Sequence, residues 1–156
     1  MVNVGDKAPD FKLPDKALKM RSLSEYKGQK VVLAFFPGAF TSVCTKEMCT
    51  FRDSMSKFNN LRAKVVGISV DSPFSLAEFA KQNHLDFDLL SDSEKVVSEK
   101  YGALHSDFVK VPGLRASKRA VFVIDSSGVV KYKWVSEDPG VEPDYAEIEK
   151  ELSKAS

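Results

Sequence analysis

Apolar residues in this chain group in two ways, as short unbroken runs and as recurrences at steps of three and four, and the two kinds alternate along its length. The run from Val31 to Phe36 ends at Pro37-Gly38 and reads as a buried strand. From Thr45 to about Leu61, the residues Met48, Phe51, Met55, Phe58 and Leu61 share one helical face. That pattern predicts an amphipathic helix, and the hydroxyls of Thr41 and Ser42 ahead of Cys44 mark its start. Lys64 to Val70 forms a second core strand, and Asp71-Ser72-Pro73 supplies the cap and first-turn proline of a helix reaching roughly Asn83. A short strand over Asp88–Leu90 and a helix from about Asp92 to Tyr101, stopped by Gly102, continue the alternation.

The flanks are read in the same way. Residues 5–13 are broken by Pro9 and followed by Pro14, which suits a peripheral edge strand or extended segment. A weak strand around Leu18 to Arg21 follows, then a capping-box start at Ser22 to Glu25 closed by Gly28. Residues 103–118 lack a period and contain Pro112-Gly113, so they are expected to form a loop that could lie beside an active site. Ala120–Asp125 and Val129–Val135 flank Ser126-Ser127-Gly128 as a hairpin, and Glu142-Pro143 through Leu152 reads as a closing helix. The expected architecture is α/β: one domain over residues 1–156, with a mixed central sheet and helices on both faces.

Composition narrows the function. A chain of 156 residues with 43% hydrophobic and 29% charged residues has enough apolar material for one ordinary core. The 23 basic and 22 acidic residues leave a formal charge of +1, which gives no electrostatic case for nucleic acid or an anionic membrane. No apolar run has the length of a signal-peptide core or a membrane span, so the expectation is a soluble cytoplasmic protein.

Only two cysteines are present, Cys44 and Cys49, and in a reducing compartment such a pair points to catalysis or metal binding rather than a disulfide scaffold. A zinc site would need further ligands, and His84 and His105 do not stand at zinc-finger spacing. Those histidines read as surface or capping residues, and Trp134 as a packed strand residue. Cys44 falls at a helix start, where unpaired N–H groups and the positive end of the dipole favour an anionic sulfur. Residues five apart in an ideal helix have Cα atoms roughly 8–9 Å from one another, whereas a disulfide needs less than about 7 Å. A redox cycle through this pair therefore demands that the helix unwind locally. Cys49 has a second reading, as a small inert hydrophobe beside the apolar face.

The segment Pro37-x-x-x-Thr41-x-x-Cys44 resembles the active-site signature of the peroxiredoxins. The likeness extends over nearly the whole chain, through Ala8-Pro9-Asp10-Phe11-x-Leu13, Val66-Gly67-Ile68-Ser69-Val70-Asp71-Ser72, and Arg119 to Asp125 followed by Gly128. The Cys-x-x-x-x-Cys spacing is similar to that of the Q-type branch, the bacterioferritin comigratory proteins. This resemblance implies a thioredoxin-like fold with an N-terminal extension, and reduction of hydrogen peroxide and organic hydroperoxides without a metal or organic cofactor. It implies Cys44 as the peroxidatic cysteine, Thr41 as the hydroxyl that bonds sulfur and peroxide, and Pro37 as a shield from water. It implies Arg119 as the cation that favours thiolate and follows charge onto the departing oxygen, with Glu47 as the acid that orients it. Cys49 then corresponds to the resolving cysteine, whose disulfide a thioredoxin-like dithiol reduces. From the residues alone, Arg115 and Lys118 compete with Arg119, and Glu47 is equally a first-turn carboxylate.

A second function class stays open at this level: a thiol–disulfide oxidoreductase or holdase chaperone with little peroxidase activity. The missing Cys-x-x-Cys, and the suitability of Pro37, Thr41 and Arg119 for peroxide chemistry, weigh against it. Both a monomer and a homodimer are compatible with the sequence, with aromatic residues such as Phe40 placed at a dimer face or packed internally.

Overall fold

In a computed structural model, which describes residues 2–155, the apolar runs become the centre of a five-stranded sheet. Its strands are β3 (Lys30–Phe35), β4 (Ala63–Ser69), β5 (Asp88–Ser91), β8 (Arg119–Ile124) and β9 (Val130–Ser136), in the order β5-β4-β3-β8-β9. β3, β4 and β5 are parallel, joined by helical crossovers, while β8 and β9 form an antiparallel hairpin whose inner strand runs against β3. Alternation along β3 explains why its sequence is unbroken apolar: Val32 and Ala34 face one layer, Val31, Leu33 and Phe35 the other, and both layers are covered.

The first layer holds α1 (Ser42–Asp53), α2 (Met55–Asn60), α3 (Pro73–Asn83) and α5 (Tyr145–Lys154). Their buried residues Met48, Phe51, Phe58, Leu76, Phe79, Ile148 and Leu152 make one cluster with the sheet. The opposite layer holds α4 (Val96–Lys100) and the N-terminal segment, where β1 (Lys12–Pro14) pairs antiparallel with β2 (Met20–Ser22). Residues 5–10 of this segment are exposed or half-buried, as the sequence suggests, but its end is anchored in the core. Phe11 and Leu13 are buried in the cluster that also holds Val31, Leu33 and Phe35 of β3, and Pro14 keeps its place in β1 opposite Met20, since an edge strand tolerates the missing N–H.

The helix predicted to run to Leu61 starts where Thr41 and Ser42 mark it, but it is divided. α1 begins at Ser42 with Thr41 as N-cap, and Ser54, at φ −100° and ψ 5°, separates it from α2. Phe51 and Phe58 still face the same core, with ring centroids 5.8 Å apart, so the apolar periodicity survives a break that it does not report. The helix expected from Asp92 shortens to α4, since Lys95 takes a left-handed conformation and the buried Asp92 carboxylate instead accepts the N–H groups of Val97 and Ser98. The closing helix begins three residues late, because Pro143 disfavours helical backbone at Glu142 and Asp144 caps the N–H of Glu147.

Residues 103–118 contain a two-residue pair, β6 (Leu104–His105) with β7 (Ala116–Ser117), and a short 3₁₀ turn at Phe108–Lys110. The expected surface role holds for His84, an exposed left-handed C-cap of α3. His105 differs: it is half-buried in β6 beside the Phe108 ring, and its Nε2 has no hydrogen-bond partner among the described residues.

Candidate active site

Parallel and antiparallel pairing together decide what stands at the carboxyl end of β3. The chain leaves β3 through Phe36 and the buried Pro37, turns at Gly38–Phe40, and enters α1, which carries Cys44 in its first turn. β8 runs the other way, with Ala120 opposite Phe35, so its first residue, Arg119, arrives at the same end. Two residues 75 positions apart thus meet: Arg119 Nη2 donates to Cys44 Sγ at 3.1 Å. Cys44 and Glu47 lie on one face of α1, and Arg119 Nη1 donates to Glu47 Oε1 at 2.9 Å. All three are sealed from solvent, with exposures of 0% for Cys44, 0% for Glu47 and 1% for Arg119.

The first intrahelical bond of α1 runs from the Thr45 N–H to the Thr41 carbonyl at 2.9 Å, leaving the N–H groups before it without helical partners beside Cys44. The exposed Thr41 donates its hydroxyl to the Gly38 carbonyl at 2.8 Å, so its oxygen keeps lone pairs that can accept. Arg119 is also fixed from behind, its Nε and Nη2 both donating to the Pro139 carbonyl at 3.1 and 2.8 Å. Burial lifts Glu47 to about 7, with the Arg119 cation working against that rise. Burial alone would lower Arg119, but the charges on Cys44 and Glu47 hold its proton more tightly than usual.

Cys49 is not part of this cluster. Five residues on from Cys44 it points roughly 140° around the helix, and its half-buried thiol lies 3.7 Å from Asn83 Oδ1 on α3. Both cysteines are free thiols here. Of the three cations weighed from the sequence, Arg115 is exposed and pairs with Glu99, and Lys118 pairs with Glu137 at 2.6 Å; Arg119 alone reaches Cys44. None of the hydrogen bonds that join Arg119 to Cys44, Glu47 and Pro139 involves the 103–118 segment.

Two contributors escape sequence reading. The first is the Pro139 carbonyl, a backbone group; Asp138-Pro139-Gly140 signals a turn but not what it faces. The second is Asp71, which the sequence places in the cap of α3. Ser72 holds that place, accepting the Ser75 N–H, while the Asp71 carboxylate takes the Ala39 N–H at 2.8 Å and the Ser69 hydroxyl at 2.7 Å. Asp71 therefore ties the Pro37–Thr41 turn to the end of β4. At Phe40 that turn adopts φ +67°, uncommon for a residue with a side chain, and the Phe40 ring rests edge-on against Phe79 at 5.3 Å.

Residues 4–133 match the model of the AhpC/TSA family. A chloroplastic peroxiredoxin Q of Populus jackii is 43% identical over 130 residues, covering 83% of this chain and 59% of that protein. A putative peroxiredoxin bcp of Coxiella burnetii is 39% identical over 133 residues, covering 85% of this chain and 88% of that one. The chain thus spans about three fifths of the chloroplastic relative. The crystal structure of peroxidoxin BcpB from Mycobacterium tuberculosis superposes with a TM-score of 0.83 at 36% identity, covering 98% of this chain and 96% of that one.

Proposed function

The chain belongs to the AhpC/TSA family, and its relatives carry the names peroxiredoxin Q and bcp; from that premise we propose that it is a thiol-dependent peroxidase. The observation that carries the reading is the buried contact between Cys44 Sγ and Arg119 Nη2. In the first step the Cys44 thiolate attacks one oxygen of a hydroperoxide, the O–O bond breaks, and the departing oxygen takes a proton to leave as alcohol or water. Arg119, already donating to sulfur, follows the charge that moves to that oxygen, and Glu47 holds the guanidinium in place. The Thr41 hydroxyl oxygen accepts from the incoming hydroperoxide, and Pro37 keeps water from the sulfur. In the second step the Cys49 thiol attacks the Cys44 sulfenic acid, a disulfide forms and water leaves; a thioredoxin-like dithiol then takes the oxidation in exchange.

A one-domain protein working in a reducing, cytoplasmic setting belongs to the same proposal, supported by a bacterial relative; the plant relatives are chloroplastic. Among the described residues no helix is long and apolar enough to cross a membrane. Thioredoxin-coupled NADPH consumption tests the reading. Turnover should require hydroperoxide and vanish in Cys44→Ser. Equal NADPH consumption when a disulfide substrate replaces the hydroperoxide as oxidant would instead identify a disulfide oxidoreductase.

A further inference from the structure

Arg119 faces Cys44 only as long as its guanidinium plane is held, and an acceptor outside the helix sets that plane. Nε and Nη2 converge on the Pro139 carbonyl, and the same Nη2 reaches Cys44 Sγ at 3.1 Å. A shift of that carbonyl would turn the guanidinium and draw Nη2 off the sulfur.

The carbonyl sits in a turn built by side chains. Arg119 is paired across the sheet with Ser136, so the turn begins opposite the arginine's own backbone. Ser136 Oγ donates to the Asp138 carbonyl at 2.9 Å and accepts the Asp138 N–H at 3.1 Å. Asp138 Oδ1 accepts the Gly140 N–H at 2.8 Å, closing a loop around Pro139, and the Asp138 carbonyl accepts the Val141 N–H at 3.2 Å. Beyond the turn, Glu142 is fixed by Lys46 of α1 at 3.0 Å and by the Tyr145 hydroxyl at 2.6 Å. Pro139 is thus braced on both sides, and Asp138 is the brace next to it. Asp138 itself is exposed, and its hydrogen bonds go to Ser136, Gly140 and Val141 and not to Cys44 or Arg119.

Building on the peroxidase reading, we propose that Asp138 is a positioning residue for the chemistry of Cys44: its carboxylate folds the 136–141 turn so that the Pro139 carbonyl clamps Arg119 toward the sulfur. The role belongs to the shape of the turn and not to the charge of Asp138. Asparagine keeps an acceptor for the Gly140 N–H and alanine does not, so the two substitutions separate geometry from charge.

The test uses the full chain carrying Cys49→Ser, which leaves Cys44 as its only thiol. Alkylation of Cys44 by iodoacetamide is followed across about pH 5 to 9, beside the single-turnover reaction with hydrogen peroxide and the Tm. Asp138→Ala should slow both reactions about tenfold at neutral pH and displace the alkylation profile to higher pH, with Tm within about 2 °C of the parent. Ser136→Ala should act in the same direction, and Asp138→Asn should stay within about twofold of the parent. Unchanged alkylation profiles in both alanine variants, or an equal loss in Asp138→Asn, would overturn the assignment. Alkylation needs no peroxide. A profile that depends on Asp138 in a parent that consumes no peroxide would support the clamp while overturning the peroxidase reading.

Discussion

A carboxyl group buried as deeply as Glu47 keeps its proton to higher pH than a surface one, and its Oε2 has no hydrogen-bond partner among the described residues. Unfolded, it would ionise near about 4.3; folded, it does so at about 7. Between those values the unfolded chain has released a proton that the folded chain retains, so this group's contribution to stability falls as pH rises through the window and levels off above it. Glu47→Gln has no such proton. Wild-type Tm should therefore decline relative to that variant between about pH 4.3 and 7, and parallel Tm curves would contradict the burial argument. Removing the cation is a harsher change: Arg119→Ala leaves Glu47 without its partner in a dry site, and denaturant unfolding at pH 8 should show a loss of about 3–5 kcal/mol. Choosing Arg119 over Arg115 and Lys118 was beyond residue-level reading, because antiparallel register and not local sequence brings it to Cys44. The Pro139 carbonyl is still less legible, since every residue carries one.

At the scale of the element, α1 has two incompatible duties. Intact, it aims Cys44 and Glu47 at Arg119 and sends Cys49 toward Asn83. A Cys44–Cys49 disulfide cannot form across a regular helix, so in the proposed cycle oxidation through this pair would unwind the first turns and withdraw Glu47 from its buried pair. Hydrogen exchange should show amides over residues 44–49 losing protection in the oxidised protein, while those of β4 and α3 keep theirs. A disulfide formed with α1 protection unchanged would contradict this mechanics. The helix start was readable from Thr41, Ser42 and the Pro37-Gly38 stop. The break at Ser54 was not, because Phe51 and Phe58 keep one apolar phase on either side of it.

For the whole molecule, the strand–helix alternation and the hairpin were legible because strands covered on both faces leave unbroken apolar runs. Depth was harder to read: the proline-broken N-terminal segment buries Phe11 and Leu13 in the core, and Gly67 lies tightly among its neighbours. A Cβ there would stand 2.7 Å from Leu89 Cδ2 and 3.5 Å from Met48 Sδ. Gly67→Ala should therefore cost about 1–3 kcal/mol of stability by denaturant titration, acting through the seat of α1 on the sheet; an unchanged midpoint would show that Leu89 gives way freely. If Cys44 and Cys49 act in sequence within one fold, intact-protein mass spectrometry after one equivalent of hydrogen peroxide will read both steps. The expected result is loss of two hydrogens in the wild type, gain of one oxygen in Cys49→Ser, and no change in Cys44→Ser. Oxidation of Cys44→Ser at the wild-type rate would contradict it.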